Sequence, residues 1–315
     1  MTETIVDRPN RDTVRWTDAE LANAVIDFVR DYSIEATPHS TDGVDSYGDY
    51  LVPGTTVYVA HPPRAALPEV VDLACRLQRM GYRTVPHIAV RRIESEQLLT
   101  HALATLRDAG VHQALVVGGD LAKPIGPYES ALQVLETGLL ASHEFHAVGF
   151  AGHPEGSRAV GPITLRAALK DKVQFAVETG LRPYIVTQFG FNSDAVIGWE
   201  AATAATGVDV PIHVGMAGLV PLKELLRYAV RCGISASMRM LLSKTSALAE
   251  QIKLASVDEL VLAFALHRLR HPETRMSRAH FFAFGGVART ATWLSRIEAG
   301  AFEIDIAQRR IRAHE

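Results

Sequence analysis

The chain is short of cysteine, of surplus charge and of long apolar runs, and each shortage removes a class of protein. Of its 315 residues only Cys75 and Cys232 are cysteines. Both sit in apolar helical patterns without C-x-x-C or Cys/His spacing, so a disulfide scaffold or a zinc cage has no material, and we expect no metal. Lys and Arg number 32 against 35 Asp and Glu, a net charge of −3. That balance offers no electrostatic footprint for nucleic acid or an anionic membrane. No segment approaches the roughly 18-residue apolar run of a membrane-spanning helix, and residues 1–16 lack the apolar centre of a signal sequence, so a cytoplasmic protein is expected. Neither G-x-G-x-x-G nor G-x-x-x-x-G-K-[ST] occurs, which removes the fingerprint of an open dinucleotide-binding sheet.

What is present is apolar matter, 48% of residues, enough for a large core. After an arm over 1–16, Thr17-Asp18-Ala19-Glu20 has the form of a capping box and opens a helix over 17–30, with Leu21, Val25, Phe28 and Val29 on one face. Strand signals follow at Tyr32–Ala36, Thr56–Ala60, Thr84–Val90, Ala114–Val117, His146–Phe150, Tyr184–Phe189, Pro211–Gly215 and His280–Phe284. Helical patterns separate them, and Gly81, Gly110, Gly180, Gly207 and Gly233 stand where helices should stop. Eight strands alternating with helices predict one domain over 1–315, a closed (β/α)₈ barrel. The interval between strands seven and eight holds extra helices at Ala247–Leu254 and Val257–Leu269.

In a parallel barrel, residues just past the strand ends share one face. That face collects Glu35, His61, His87, Asp120, His153, Glu155, Gln188 and Asn192. Glu35 and Asp120 are the acid/base candidates, because a carboxyl among apolar walls can keep its proton. Gly118-Gly119 before Asp120 would let backbone amides approach a flat or anionic ligand, or simply make a tight turn. Lys170 and Lys172 are placed near a helix start, where a cation could meet a phosphate or face solvent. Gln188, with Phe189 beside it, could read a planar heteroaromatic ring, while Phe189 could equally serve the core.

Taken in order, these pieces resemble the methylenetetrahydrofolate reductase family over about residues 30–290. The matching elements are Ser33-Ile34-Glu35, Pro86-His87-Ile88, Gly119-Asp120, Tyr128-Glu129-Ser130, His153-Pro154-Glu155, Lys172, Thr187-Gln188-Phe189 and Gly218-Leu219-Val220-Pro221. The resemblance implies a cytosolic, self-associating flavin enzyme in which FAD lies across the barrel mouth against His61, His87, Gly118, Gly119, Asp120, Tyr128, His153 and Lys172. It implies an oxidoreductase that passes hydride from NADH or NADPH through FAD to 5,10-methylenetetrahydrofolate. Glu35 then matches the general acid that opens the folate ring, and Asp120 matches the acid beside flavin and folate. Gln188, Phe189 and the helix position Leu225 match the pocket that takes the substrate.

The chain departs from the family's pattern at four places. Gly118 stands where an arginine is common, Gly190 and Asn192 interrupt the aromatic run after Gln188, Leu225 replaces a phenylalanine, and Gly285-Gly286 stands where an arginine is usual. The electron donor, a partner protein included, and the direction of reaction therefore stay open. A pterin-binding methyltransferase without hydride chemistry is the alternative.

Overall fold

The computed structural model describes residues 3–4, 16–38, 43–157, 160–220 and 256–314. Eight parallel strands close into a barrel: β1 (Ser33–Ala36), β2 (Thr56–Val59), β3 (Arg83–Ala89), β4 (Gln113–Val117), β5 (Ala147–Gly152), β6 (Arg182–Thr187), β7 (Ile212–Ala217) and β8 (Met276–Phe282). All eight expected strands are there. Closure is carried by β8, whose His280 pairs with Ser33 of β1 on one side and with Gly215 of β7 on the other.

The helices are α1 (Asp18–Val29), α2 (Leu67–Arg79), α3 (Glu96–Asp108), α4 (Ala131–Glu136), α5 (Leu139–Ser142), α6 (Pro162–Glu178), α7 (Ser193–Ala204), α8 (Val257–Arg270) and α9 (Val287–Glu298). Helix α1 starts where the capping box places it. The Thr17 hydroxyl accepts from the Glu20 amide at 3.2 Å, and the Glu20 carboxylate accepts from the Thr17 amide at 2.8 Å. It flanks the barrel, packing on α8 and α9. Among the described residues of the arm, Glu3–Thr4 pairs antiparallel with Trp16–Thr17. Gly81, Gly110, Gly180 and Gly207 all have positive φ at helix ends, the left-handed residue that releases the chain. Gly233, Cys232, Leu225, Pro221 and the segment Ala247–Leu254 lie outside the described residues. A hairpin unforeseen in the sequence, β9 (Phe302–Asp305) with β10 (Arg310–Ala313), closes the chain. Among the described residues no helix is long and apolar enough to cross a membrane.

Two cores result. The larger lies between the outer faces of the strands and the helices, and takes in Ile34, Ala36, Val57, Val59, Leu73 and Leu103. The smaller lies inside the barrel, where Tyr58, Val85, Leu115, Ala147, Tyr184 and Val186 meet. Strand periodicity then puts Ser33 and Glu35 inside, because their neighbours Ile34 and Ala36 belong to the outer core.

Candidate active site

Glu35 sits on the inner face near the carboxyl end of β1, the end that also carries the loops after the other strands. Its side chain is 10% exposed and the nearest charged or chargeable partner is His87 of β3, with Nε2 at 3.6 Å from Oε1. That separation is too long for a good hydrogen bond. Burial without a donor pushes the Glu35 carboxyl up to about 8, and burial followed by the charge of His61 pushes His87 down to about 3. The pair is therefore neutral at pH 7, an acid beside an uncharged imidazole. His87 Nε2 has no hydrogen-bond partner.

Asp120 lies at the same mouth, in the loop after β4. Its side chain is 48% exposed, and Arg92 holds one of its oxygens through Nε at 2.9 Å and Nη2 at 2.6 Å. Arg92 follows β3 and also donates to the Pro63 carbonyl at 2.7 Å. The cation missing at Gly118 is thus supplied beside Asp120 by the neighbouring loop. Gly119 takes φ +87, and a Cβ there would lie 3.3 Å from that of Ala89, so the turn needs glycine, while Gly118 faces open space. His61 completes this corner. Its Nε2 meets the Ala65 carbonyl at 3.2 Å, its Nδ1 is buried without a partner, and burial lowers its pKa.

Across the mouth, His153 is held uncharged, pushed down to about 4 by burial and then by Lys172. Lys172 lies mid-helix, since α6 begins at Pro162, ahead of the expected start. Its ammonium sits 5.3 Å over the Phe150 ring, and burial lowers it to about 8. Tyr128 is buried and donates to Glu96 at 3.1 Å, which ties its loop to the start of α3. Glu155 accepts from the Phe191 amide at 2.8 Å, and a Cβ at Gly190 would lie 2.6 Å from that carboxylate. This close approach explains why a glycine interrupts the aromatic run. Asn192 caps α7 through the Ala195 amide at 3.2 Å. Gln188 accepts from the Phe189 amide at 3.1 Å and is half-buried. Phe189 is 1% exposed, wedged against Phe191, Phe282 and Phe284.

Several groups escape sequence reasoning. Arg92 is one. Phe282 and Phe284 are others, half-buried and stacked at 6.0 Å where β8 ends, with Phe284 in the left-handed region at φ 48. Inside the barrel, His280 takes a hydrogen bond with Ser33 Oγ at 2.9 Å, and its ring lies 4.6 Å from that of Tyr58. Tyr58 in turn meets His213 Nδ1 at 3.2 Å. The signal was the period of two: Arg278, His280 and Phe282 alternate with Ala279 and Phe281 of the outer core. Among the described residues no group of three or more His, Cys, Asp or Glu could hold a metal ion.

No family model matches the chain. Among solved structures, an uncharacterized protein from Clostridium thermocellum that binds two copies of 5-methyl-5,6,7,8-tetrahydrofolic acid aligns with a TM-score of 0.50 and 10% identity, over 87% of this chain and 99% of that one. Oxaloacetate acetylhydrolase aligns at 0.49 and 10% identity over 86% and 81%. Dihydropteroate synthase from Thermus thermophilus aligns at 0.44 and 14% identity over 85% and 92%. At these identities the likeness is one of fold.

Proposed function

We propose that this barrel is a flavin-dependent oxidoreductase that interconverts 5,10-methylenetetrahydrofolate and 5-methyltetrahydrofolate at its carboxyl-end mouth. The observation that carries the reading is the buried, inward-facing Glu35, 3.6 Å from His87 and without a Lys or Arg partner among the described residues, whose carboxyl burial pushes up to about 8. A carboxylic acid that keeps its proton at pH 7 can deliver it to the departing nitrogen of a five-membered folate ring, which makes the one-carbon unit electrophilic. The C. thermocellum barrel, with its reduced folate, lends support to a pterin in this kind of fold.

The residues present fit FAD. His61 Nδ1 and His87 Nε2 are buried nitrogens without partners, Gly118 leaves room for close backbone approach, and the Lys172 ammonium, lowered by burial, sits over the Phe150 ring near His153. His61, His87, Gly118, Gly119 and Asp120 would hold the ring end, and His153 with Lys172 the phosphates. FAD, when bound, supplies hydride to the one-carbon unit and accepts it from NADH or NADPH. The chain's own part is to seat the pterin between Gln188 and the Phe282–Phe284 wall, keep the proton on Glu35 and shield the reacting carbon from water. Tyr128 and Phe189 serve this site as supports, since both are buried and engaged with protein.

The test is Glu35→Gln in the flavin-loaded enzyme. Flavin reduction by the nicotinamide should survive while folate turnover falls by at least ~100-fold, the loss expected for a missing general acid. Normal turnover in that variant would end the reading. A protein purified without flavin absorbance that still binds 5-methyltetrahydrofolate would favour the methyltransferase alternative instead.

A further inference from the structure

The flank of the barrel carries a groove that the mouth chemistry does not use. Helices α2 and α3 pack side by side, and a cavity of about 460 Å³ lies between their outer sides. Helix α2 lines it with Pro68, Asp72, Cys75 and Arg79, spaced by four, three and four residues, which is a single stripe along one helix face. Helix α3 lines it with Leu98, His101, Thr105 and Asp108, spaced by three, four and three. A repeat averaging 3.5 residues is the pattern of a helix that packs along another helix. Here it faces outward: Pro68, Asp72, Arg79, His101 and Asp108 are all exposed, and among the described residues no third element lines the groove.

The charges along the two stripes complement their own mirror order. On α2 an acid, Asp72, precedes a base, Arg79, by seven residues, about 10 Å along the axis. On α3 the order is reversed, with His101 seven residues before Asp108. The Cys75 thiol reaches the Thr105 carbonyl at 3.8 Å, and these two residues stand at the middle of their pairs, so both midpoints lie at one height. A single two-fold axis across the groove at that height sets α2 antiparallel to the α2 of a second copy, Asp72 opposite Arg79 in both directions. It sets α3 against α3 in the same way, His101 opposite Asp108. The charges are available for this. Asp72 makes no ion pair among the described residues, since the nearby Arg76 is taken by Asp45. Arg79 spends only Nε, on the Cys75 carbonyl at 3.1 Å, and Arg107 holds one oxygen of Asp108.

We propose that the α2–α3 face binds a second copy of this chain about that axis, in a four-helix contact where Asp72 and Arg79 pair reciprocally between the copies. Both helices have 13 residues, so each face is about 20 Å long, the scale of a small interface of roughly 1,000 Å² that forms and dissociates reversibly. The face lies on the flank and the candidate active site at the strand ends, so each copy keeps its mouth open and the proposal does not depend on the flavin reading.

The experiment is sedimentation equilibrium of the full chain over about 1–100 µM, at low and at high salt. A monomer–dimer equilibrium is expected, weaker at high salt. Asp72→Arg and Arg79→Asp, both at exposed positions, should each weaken it by at least about tenfold, because each sets like charges against each other across the axis. The double variant Asp72→Arg/Arg79→Asp exchanges the two partners and should recover the wild-type association to within about threefold. A chain that stays monomeric, a dimer indifferent to the single changes, or a double variant as weak as the singles overturns the proposal. If either single variant fails to fold, Asp108→Arg on α3, which sets an arginine against His101, decides in its place with the same loss expected.

Discussion

Two glutamates in this barrel each have a histidine neighbour and the same side-chain exposure, and opposite fates. Glu35 and Glu200 are each 10% exposed, and each faces a histidine that is 13% exposed, at 3.6 Å and 3.3 Å respectively. Glu35 is given nothing to accept from, and its carboxyl rises to about 8. Glu200, on α7, is also pushed up by burial. It nevertheless accepts from His267 at 3.3 Å, from the Thr274 hydroxyl at 2.5 Å and from the Arg275 amide at 2.6 Å, and together these bring its pKa below the ordinary value. Burial alone therefore does not decide whether a carboxyl is charged; the supply of donors does. Glu200 is a clamp that fixes α7 and α8 to the chain entering β8, and Glu35 is an acid in waiting.

Proton linkage turns that contrast into its largest measurable effect. Folded Glu35 keeps its proton up to about pH 8 whereas a free carboxyl loses it near 4.5. Between those values the folded state binds more protons than the unfolded one, so this group costs stability as pH rises. Glu35→Gln should gain over the wild type across that window, by at most on the order of 5 kcal/mol at pH 8, and by little at pH 4.5. Denaturant unfolding of both proteins at the two pH values measures it, and a constant difference would show that Glu35 is ionised in the fold.

Glu200→Gln should do the reverse. Removing a charged acceptor from three donors costs about 3 kcal/mol at neutral pH. Because the folded pKa is lowered, the stability from Glu200 is present above the unfolded pKa and is lost as pH falls through the folded one, so the deficit of the variant should shrink in acid. The proposed flavin half-reaction, measured per folded molecule, should not change. A smaller step in the same direction is Thr274→Val, which takes away one donor. It should cost about 1–2 kcal/mol and raise the Glu200 titration in a carboxyl-detected NMR experiment.

How much of this the sequence carried differs between the two glutamates. Glu35 was readable because Ser33-Ile34-Glu35-Ala36 alternates and its outward pair is apolar, which turns the carboxyl inward without any knowledge of its neighbours. The eight strands were readable from their short runs of β-branched and aromatic residues between helical patterns. The start of β8 was not: Met276-Ser277-Arg278-Ala279 has little strand preference, and pairing with Ile212, His213 and Val214 imposes it. Glu200 gave no sign, because its partners lie 67 to 75 residues away along the chain. The Arg92 bond to Asp120, across 28 residues, was hidden likewise, and so the acid that the resemblance presents as a bare charge is a paired one.

That pairing sets the smallest effect. Asp120 is 48% exposed, so its ion pair with Arg92 should add no more than about 1 kcal/mol to stability, screened by salt. Arg92→Gln should therefore unfold almost as the wild type does. What changes is the charge presented to the mouth, since the Asp120 carboxylate loses the guanidinium that holds one of its oxygens. If the proposed flavin occupies the mouth, an uncompensated anion beside it disfavours the added electrons. At roughly 1 kcal/mol the two-electron potential should fall by about 20 mV, with the shift shrinking as ionic strength rises. A potential that does not move in Arg92→Gln but moves in Asp120→Asn would mean that the carboxylate reaches the flavin directly, with the arginine serving only to anchor the loop through the Pro63 carbonyl.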